Sequence, residues 1–532
     1  MKFQVYDTTL RDGAQQEGMN VSVNDKLAIA QLLDDLGVGF IEGGWPGAIP
    51  KDTDFFSRAR KELNLKNAQL AAFGATRKAG IGAGTDPQVL ALVNSQAPVV
   101  TLVAKSDIRH VERALKTTPE ENLAMIRDTV EFLRAEGRRV MVDAEHFFDG
   151  YRFDSDYSTA AVMAAFEAGA ESVILCDTNG GMLPEWVAHI VTELREATGT
   201  GTDAAILGMH AHNDTGCAVA NSLAAVSAGV RHVQGTVNGY GERTGNADLI
   251  TVLANLELKY KMPTLAGGGL ADATRIAHQI SEVTNITAYG RQPYVGASAF
   301  AHKAGLHASA IKVDPDLYQH TDPTLVGNDM RMLVSEMAGR ASIELKGREL
   351  GFDLTGRGDV LTAVTNRVKQ AEANGYTYDA ADASFELLLV EELEGTRPKY
   401  FAVESWRAIV ERVGPRGTQA NAEATVKLVA GGERLVSVGE GNGPVNALDH
   451  ALRSALQQVY PEINTFELID FKVRILDETH GTDAITRVLI QTTDGVNRWS
   501  TVGVGPNLLE ASWEALTDSA IYGLRQAGIT PR

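Results

Sequence analysis

Over roughly the first 260 residues, short runs dense in apolar and β-branched residues alternate with longer stretches whose apolar positions recur every three to four residues. The short runs are Phe3–Asp7, Gly39–Gly43, Ala68–Phe73, Val99–Ala104, Arg139–Glu145, Ser172–Asp177, Ala204–His210 and His232–Asn238, and each predicts a β-strand. Stretches such as Val23–Leu36, Pro119–Ala135, Asp156–Ala168 and Pro184–Ala197 predict amphipathic helices between them. Eight strand-then-helix units predict an α/β fold, a closed parallel (β/α)8 barrel over residues 1–264. A doubly wound open sheet is the competing arrangement. Against it, no G-x-G-x-x-G follows the first strand, and polar residues recur at the ends of many strands, which in a barrel share one face.

Beyond the barrel the pattern changes twice. Residues 265–394 are mainly helical and polar, broken by Gly and Pro, and predict linker subdomains. Residues 395–532 contain two similar blocks. Ala424–Val429, Leu435–Gly439 and Pro444–Leu456 read strand, strand, helix, and Thr486–Gln491, Trp499–Val504 and Asn507–Gly523 read the same way. Such a two-unit repeat predicts a pseudo-twofold α+β domain, with Pro415–Gln419 as an exposed loop.

Composition narrows the function classes. The chain has 532 residues, 44% of them apolar and 22% charged, which suits a globular protein of two or three domains. Its 49 basic and 68 acidic residues give a formal charge of -19, which opposes association with nucleic acid or anionic membranes. Cys176 and Cys217 are the only cysteines and form no C-x-x-C, so neither a disulfide framework nor a thiolate metal site is expected. A reducing cytoplasm fits. The amino terminus runs straight into a strand without a leader pattern, and no uninterrupted apolar span approaches the length of a membrane helix.

The strand ends carry the chemistry. The seventh strand runs into Gly208-Met209-His210-Ala211-His212-Asn213-Asp214. Side chains two apart on a strand project the same way, so His210 and His212 converge on one point, as a metal site needs. The competing reading is a pair of packing histidines. Other strands end in Asp7 to Gln15, in Glu42-Gly43-Gly44-Trp45-Pro46, in Asp143-Ala144-Glu145-His146, in Asp177-Thr178-Asn179-Gly180, and in Asn238 through Asn246. So many ionisable and amide groups on one face predict an active site.

These residues resemble the acyl-CoA-dependent Claisen-type synthases of the metal-dependent DRE-TIM group, which comprises isopropylmalate, homocitrate and citramalate synthases. Leu10-Arg11-Asp12-Gly13-Ala14-Gln15, with Lys26 beyond it, is similar to the group's first signature, and Leu207–Ala220 to its second. The similarity continues through Asn246, Phe300–His307 and the carboxyl-terminal domain. Within the group, Ile41–Asp52 looks most like the branch that condenses acetyl-CoA with pyruvate and feeds isoleucine biosynthesis.

The resemblance implies a divalent cation (manganese, magnesium, zinc or cobalt) held by Asp12, His210, His212 and Asn246, where it chelates a 2-oxo acid. Arg11 then supplies charge to the developing alkoxide, and Thr178 and Gln15 hold substrate. Capping the following helix is the plain structural alternative for Thr178. His307 is implied as general base or its activator, supported by Glu145 and by Tyr318, from a region that in this group reaches over a partner subunit's barrel. Arg243 and Lys303 are candidates for the phosphates of acetyl-CoA. Two positions depart from the group: Ala14 stands where many relatives have Glu, and Ser309 stands where they often have an acidic residue. The final domain resembles the group's allosteric domain, implying a homodimer and an amino-acid effector, isoleucine or leucine. Isopropylmalate or homocitrate synthesis, a metal-dependent acyl-CoA lyase or aldolase, and a non-catalytic metal-binding regulator are the alternatives.

Overall fold

The computed structural model describes residues 3–202, 204–413, 419–476 and 484–532. They form two compact units, Met1–Phe300 with Thr321–Asp329, and Ala301–His320 with Met330–Arg532.

The first unit is a closed barrel of eight parallel strands in sequence order. The strands are β1 (Gln4–Asp7), β2 (Phe40–Gly44), β3 (Gln69–Ala75), β4 (Val99–Lys105), β5 (Arg139–Glu145), β6 (Ser172–Asp177), β7 (Ile206–Ala211) and β8 (His232–Gly235). Closure comes from β8 pairing with β1, Gln4 opposite His232 and Asp7 opposite Gly235. The helices between strands start where local chemistry favours it. Ser22 and Asp25 make a reciprocal capping box for Val23–Leu36, which ends on Gly37 at φ 92°. Thr118 caps Pro119–Ala135 and Asp154 caps Ser155–Glu167. The first of these helices buries Leu27, Ile29, Leu33 and Leu36, each contributing about 1.5–3 kcal/mol.

Inside the barrel, Tyr6, Phe40, Ala71, Val99, Met141, Ile174 and Cys176 form an apolar layer. Gly208 leaves room for it: a Cβ there would lie 2.7 Å from Ile174 Cγ1 and 2.9 Å from His232 Cδ2. Only β5 and β6 have both expected ends, and the other strands differ by one to three residues. β7 begins two residues later, at Ile206 rather than Ala204, and β8 stops at Gly235, short of Asn238. The chain turns there because Thr236 bridges to Asp248 and Asn238 takes a left-handed φ of 62°.

The second unit contains helices Gly305–Val313, Arg340–Glu349, Gly358–Ala373 and Asp382–Glu394, followed by two antiparallel three-stranded sheets. The first sheet is Ala402–Val413, Gln419–Ala430 and Glu433–Gly441, with helix Pro444–Leu456 after it. The second is Glu467–Ile475, Thr486–Thr493 and Arg498–Gly505, with helix Leu508–Gln526 after it. Each block therefore has one strand more than the strand-strand-helix expectation. The additional strands are mostly exposed edges, so no alternation of buried and exposed positions marks them. Pro415–Thr418 of the expected loop lies outside the described residues, and Gln419 begins a strand. Among the described residues no helix is long and apolar enough to cross a membrane.

Candidate active site

Three side chains meet at the carboxyl ends of β1 and β7. Asp12 Oδ2 lies 3.3 Å from His210 Nε2 and 3.8 Å from His212 Nε2. One ligand atom from each of the three lies within 4.8 Å of the others, and all three residues are buried. Asp12 follows a loop fixed by its neighbours: Asp7 accepts from the Thr9 amide (2.9 Å) and hydroxyl (2.8 Å), and the Thr9 hydroxyl accepts from the Val237 amide (2.9 Å). The imidazoles reach the same point because strand alternation puts residues 210 and 212 on one face, their ring centroids 5.2 Å apart.

Burial alone would raise the Asp12 carboxyl, but Arg11 beside it and the hydrogen bond from His210 leave it well below the usual carboxylate range. Burial would lower His210, yet Asp12 outweighs this and holds it above its ordinary value. His212, further from Asp12, is pushed down to about 4 by burial and by the neighbouring His210. The site thus has a carboxylate and one imidazole already free of its proton.

Arg11 is immobilised from two sides. Its Nε donates to Glu42 Oε2 at 2.5 Å, and its guanidinium carbon sits 3.9 Å from the centroid of the Phe73 ring. Glu42 is fully buried and also accepts from the Tyr6 hydroxyl at 2.8 Å. Burial would lower Arg11, and Glu42 more than offsets it, so the guanidinium is firmly charged.

A cavity of about 720 Å³ opens over this cluster and is lined by Arg11, Asp12, Gln15, Asp143, Glu145, Thr178, His210 and His212, with Phe73 and Val103 among its apolar walls. The Thr178 hydroxyl oxygen accepts from the His146 amide at 2.8 Å. It caps no helix: the next one starts at Pro184 after Leu183, which overturns the capping alternative. Glu145 pairs with Lys105.

Asn246 is brought in by its backbone, which bridges to His212. Its side-chain Nδ2 donates to the Tyr240 carbonyl at 3.0 Å, while Oδ1 is buried without a partner. Asn246 lines a second cavity of about 560 Å³ rather than the first. Gly241, at φ +145°, is required beside it, since a Cβ would come within 2.4 Å of Asn246 Nδ2. Arg243 donates to Asp214 Oδ1 (2.9 Å) and to the Thr178 carbonyl (2.9 Å), tying together the loops after β6, β7 and β8.

The remaining candidates belong to the second unit. His307 stacks on Tyr318 with ring centroids 4.1 Å apart, and Lys303 pairs with Asp379 at 2.7 Å.

Sequence reading did not single out Gln234. On β8 it bonds to His210 Nδ1 through Oε1 (2.9 Å) and donates from Nε2 to Asp143 Oδ1 (2.9 Å). A polar residue two positions after His232, on the inward face of a strand, was the available signal.

The donor set fits a divalent cation. One carboxylate oxygen and two imidazole nitrogens converge, and a buried amide oxygen lacks any partner.

Known proteins agree with the barrel and with the domains after it. The HMGL-like family matches residues 2–280, the homocitrate synthase post-HMGL domain-like family residues 294–375, and the LeuA allosteric (dimerisation) domain residues 379–523. The fold and its mouth are those of an HMGL-like barrel enzyme carrying an allosteric domain. The chain is 63% identical over 529 residues to the (R)-citramalate synthase of Streptomyces coelicolor, covering 99% of this chain and 98% of that one. It is 47% identical over 526 residues to the (R)-citramalate synthase of Synechocystis, covering 98% and 96%. The 2-isopropylmalate synthase of Yersinia pestis is 30% identical over 522 residues, covering 96% and 94%. The chain belongs to the citramalate synthase family.

Proposed function

We propose that this enzyme condenses acetyl-CoA with pyruvate to give citramalate and free CoA. The observation that carries the reading is the convergence of Asp12, His210 and His212 beside the immobilised Arg11. In the reaction the thioester methyl loses a proton and its carbon bonds to C2 of pyruvate. The resulting alkoxide is protonated, and water cleaves the thioester to release the CoA thiol.

Asp12, His210, His212 and Asn246 hold the cation, with manganese, magnesium, zinc and cobalt as candidates. When bound, a divalent cation supplies Lewis-acid polarisation of the oxo group and a template for the oxo acid. Arg11 presents fixed positive charge where the alkoxide develops; Glu42 and Phe73 keep it from reorganising during the reaction. Because the His146 amide already donates to the Thr178 oxygen, the threonine's own O–H is free to donate to the pyruvate carboxylate. Gln15 lines the same cavity and holds substrate with it.

His307, oriented by its stack on Tyr318, removes the methyl proton at the barrel of a second copy, where Glu145 supports it. Arg243 and Lys303 meet the CoA phosphates; each is in an ion pair that an incoming phosphate has to displace. The enzyme works in the cytoplasm as a homodimer. Exposed Ile409 and Val410 on one edge strand and Phe471 and Val473 on the other are apolar surface suited to a second copy. Its effector is a branched-chain amino acid, isoleucine or leucine.

The test is CoA release from the purified protein with acetyl-CoA and, separately, pyruvate, 2-oxoisovalerate and 2-oxoglutarate, each with added metal and after chelation. Preference for pyruvate that disappears on chelation supports the proposal. Preference for a larger oxo acid changes the substrate, and release that survives chelation removes the metal from the chemistry.

A further inference from the structure

We infer that Asp143 and Gln234 are positioning residues that set His210 in the tautomer a metal requires. The inference rests on the metal site proposed for Asp12, His210 and His212. Three buried side chains from three strands form one line: Asp143 of β5, Gln234 of β8 and His210 of β7. Gln234 Nε2 lies 2.9 Å from Asp143 Oδ1, and Gln234 Oε1 lies 2.9 Å from His210 Nδ1.

The direction of this line follows from donor and acceptor chemistry. An amide can sit either way round, and its neighbours decide which end goes where. An ionised carboxylate oxygen only accepts, so with Asp143 ionised the Gln234 NH2 faces it, as Gln234 Nε2 does at 2.9 Å from Asp143 Oδ1. The Gln234 carbonyl then faces His210, and a carbonyl also only accepts, so the imidazole proton sits on Nδ1. In the neutral ring that receives a cation, Nε2 then carries the lone pair, directed at the point shared with Asp12 Oδ2, 3.3 Å away. With the amide reversed, its N–H would meet Nδ1, the ring proton would move to Nε2, and that proton would occupy the place of the cation.

His212 has no such support: its Nδ1 is buried without a partner. The two histidines are therefore unequal. The fold sets His210 in advance, and His212 adjusts to what arrives. Asp143 acts here as an acceptor that orients an amide, and its position in the cavity wall is secondary to that role.

The experiment measures the dissociation constant of Mn2+ for substrate-free full-length protein, from the electron paramagnetic resonance signal of the free ion. The variants are Gln234→Leu, Asp143→Ala and Asp143→Asn, with thermal unfolding run on each. Gln234→Leu binds Mn2+ roughly 10- to 100-fold more weakly, the range seen when the partner of a metal-bound histidine is removed. Asp143→Ala frees the amide to reverse and weakens binding about 10-fold, while Asp143→Asn still offers a carbonyl acceptor and stays within about threefold of the wild type. A residue that merely fills space leaves the dissociation constant unmoved. Unchanged affinity in Gln234→Leu and Asp143→Ala overturns the inference. Equal losses in Asp143→Asn and Asp143→Ala overturn it too, since charge rather than orientation would then be responsible. If Gln234→Leu does not fold, the pair of Asp143 variants decides alone. A wild type that binds no Mn2+ removes the metal site and this inference together.

Discussion

The two ends of the barrel both bury polar side chains, and they do it in opposite ways. At the amino-terminal end Gln4 is the hub. Its Oε1 accepts from Ser172 (2.8 Å) and meets His232 Nδ1 (2.8 Å), and its Nε2 donates to Glu171 (2.8 Å), which also binds Arg139. Charge there is matched by charge. At the carboxyl-terminal end Asp7, Asp12, Glu42 and Asp143 are all buried, yet Arg11 is the guanidinium that answers them. Burial first, and for Asp143 the charge on Glu42 next, pushes Asp7 and Asp143 each up to about 7. Orphaned atoms occur at both ends, His232 Nε2 at the amino-terminal one and His212 Nδ1 and Asn246 Oδ1 at this one. An end that is negatively biased is shaped for a cation. The other end is shaped for stability, in line with the division of labour in such barrels.

Substitutions should separate the two ends. The largest effect is expected from His212→Ala, which removes one ligand: turnover falls by roughly 10³ or more, as the loss of several kcal/mol of transition-state stabilisation requires. Its unfolding temperature stays close to that of the wild type, because the ring's Nδ1 has no partner to lose and its Nε2 lies 3.8 Å from Asp12 Oδ2, beyond hydrogen-bond reach. Near-normal metal-dependent turnover in this variant would break the comparison. Next is Arg11→Lys, which keeps the charge and loses the planar fork held by Glu42 and Phe73. Its kcat drops by about 10², read by steady-state kinetics, with KM for pyruvate changed less.

At the other end His232→Leu should do the reverse. It leaves kcat/KM within about twofold and lowers stability by about 1–3 kcal/mol, because Gln4 loses a buried partner. Denaturant unfolding measures it. The same residue also sets a slope with pH. An unfolded histidine takes up its proton near 6.5, whereas burial, with His210 adding to it, pushes His232 down to about 3 in the fold. Between those values the unfolded chain binds more protons, so stability is full above the upper value and falls as pH drops through the window. This one group contributes about 1.4 kcal/mol per pH unit there. In His232→Leu that part of the slope should vanish.

The same contrast explains what could be read from sequence. Strands β5 and β6 and the helices Val23–Leu36 and Pro119–Ala135 have the ends that periodicity and capping residues predict. His210 and His212 could be placed on one face because two-residue spacing at a strand end fixes direction, whereas Asp12 was implied only by the family resemblance. Gln234 was not legible: its meaning depends on Asp143 and His210, which only the register of other strands brings within reach. The edge strands Ala402–Val413 and Glu467–Ile475 escaped notice for a different reason. Exposed on most positions, they carry charges such as Glu404, Arg407, Asp470 and Lys472 interleaved with exposed apolar residues, and no buried face imposes an alternation. Thr178 shows the limit of local rules, since its hydroxyl is engaged by His146, far off in the chain, and not by the helix after it.

The most direct test of the central claim is anomalous diffraction from crystals soaked with Mn2+ and pyruvate, recorded at the manganese edge. The account predicts one strong peak enclosed by Asp12, His210 and His212, with the oxo acid between it and Arg11. A peak elsewhere, or an oxo acid bound away from it, would contradict the account.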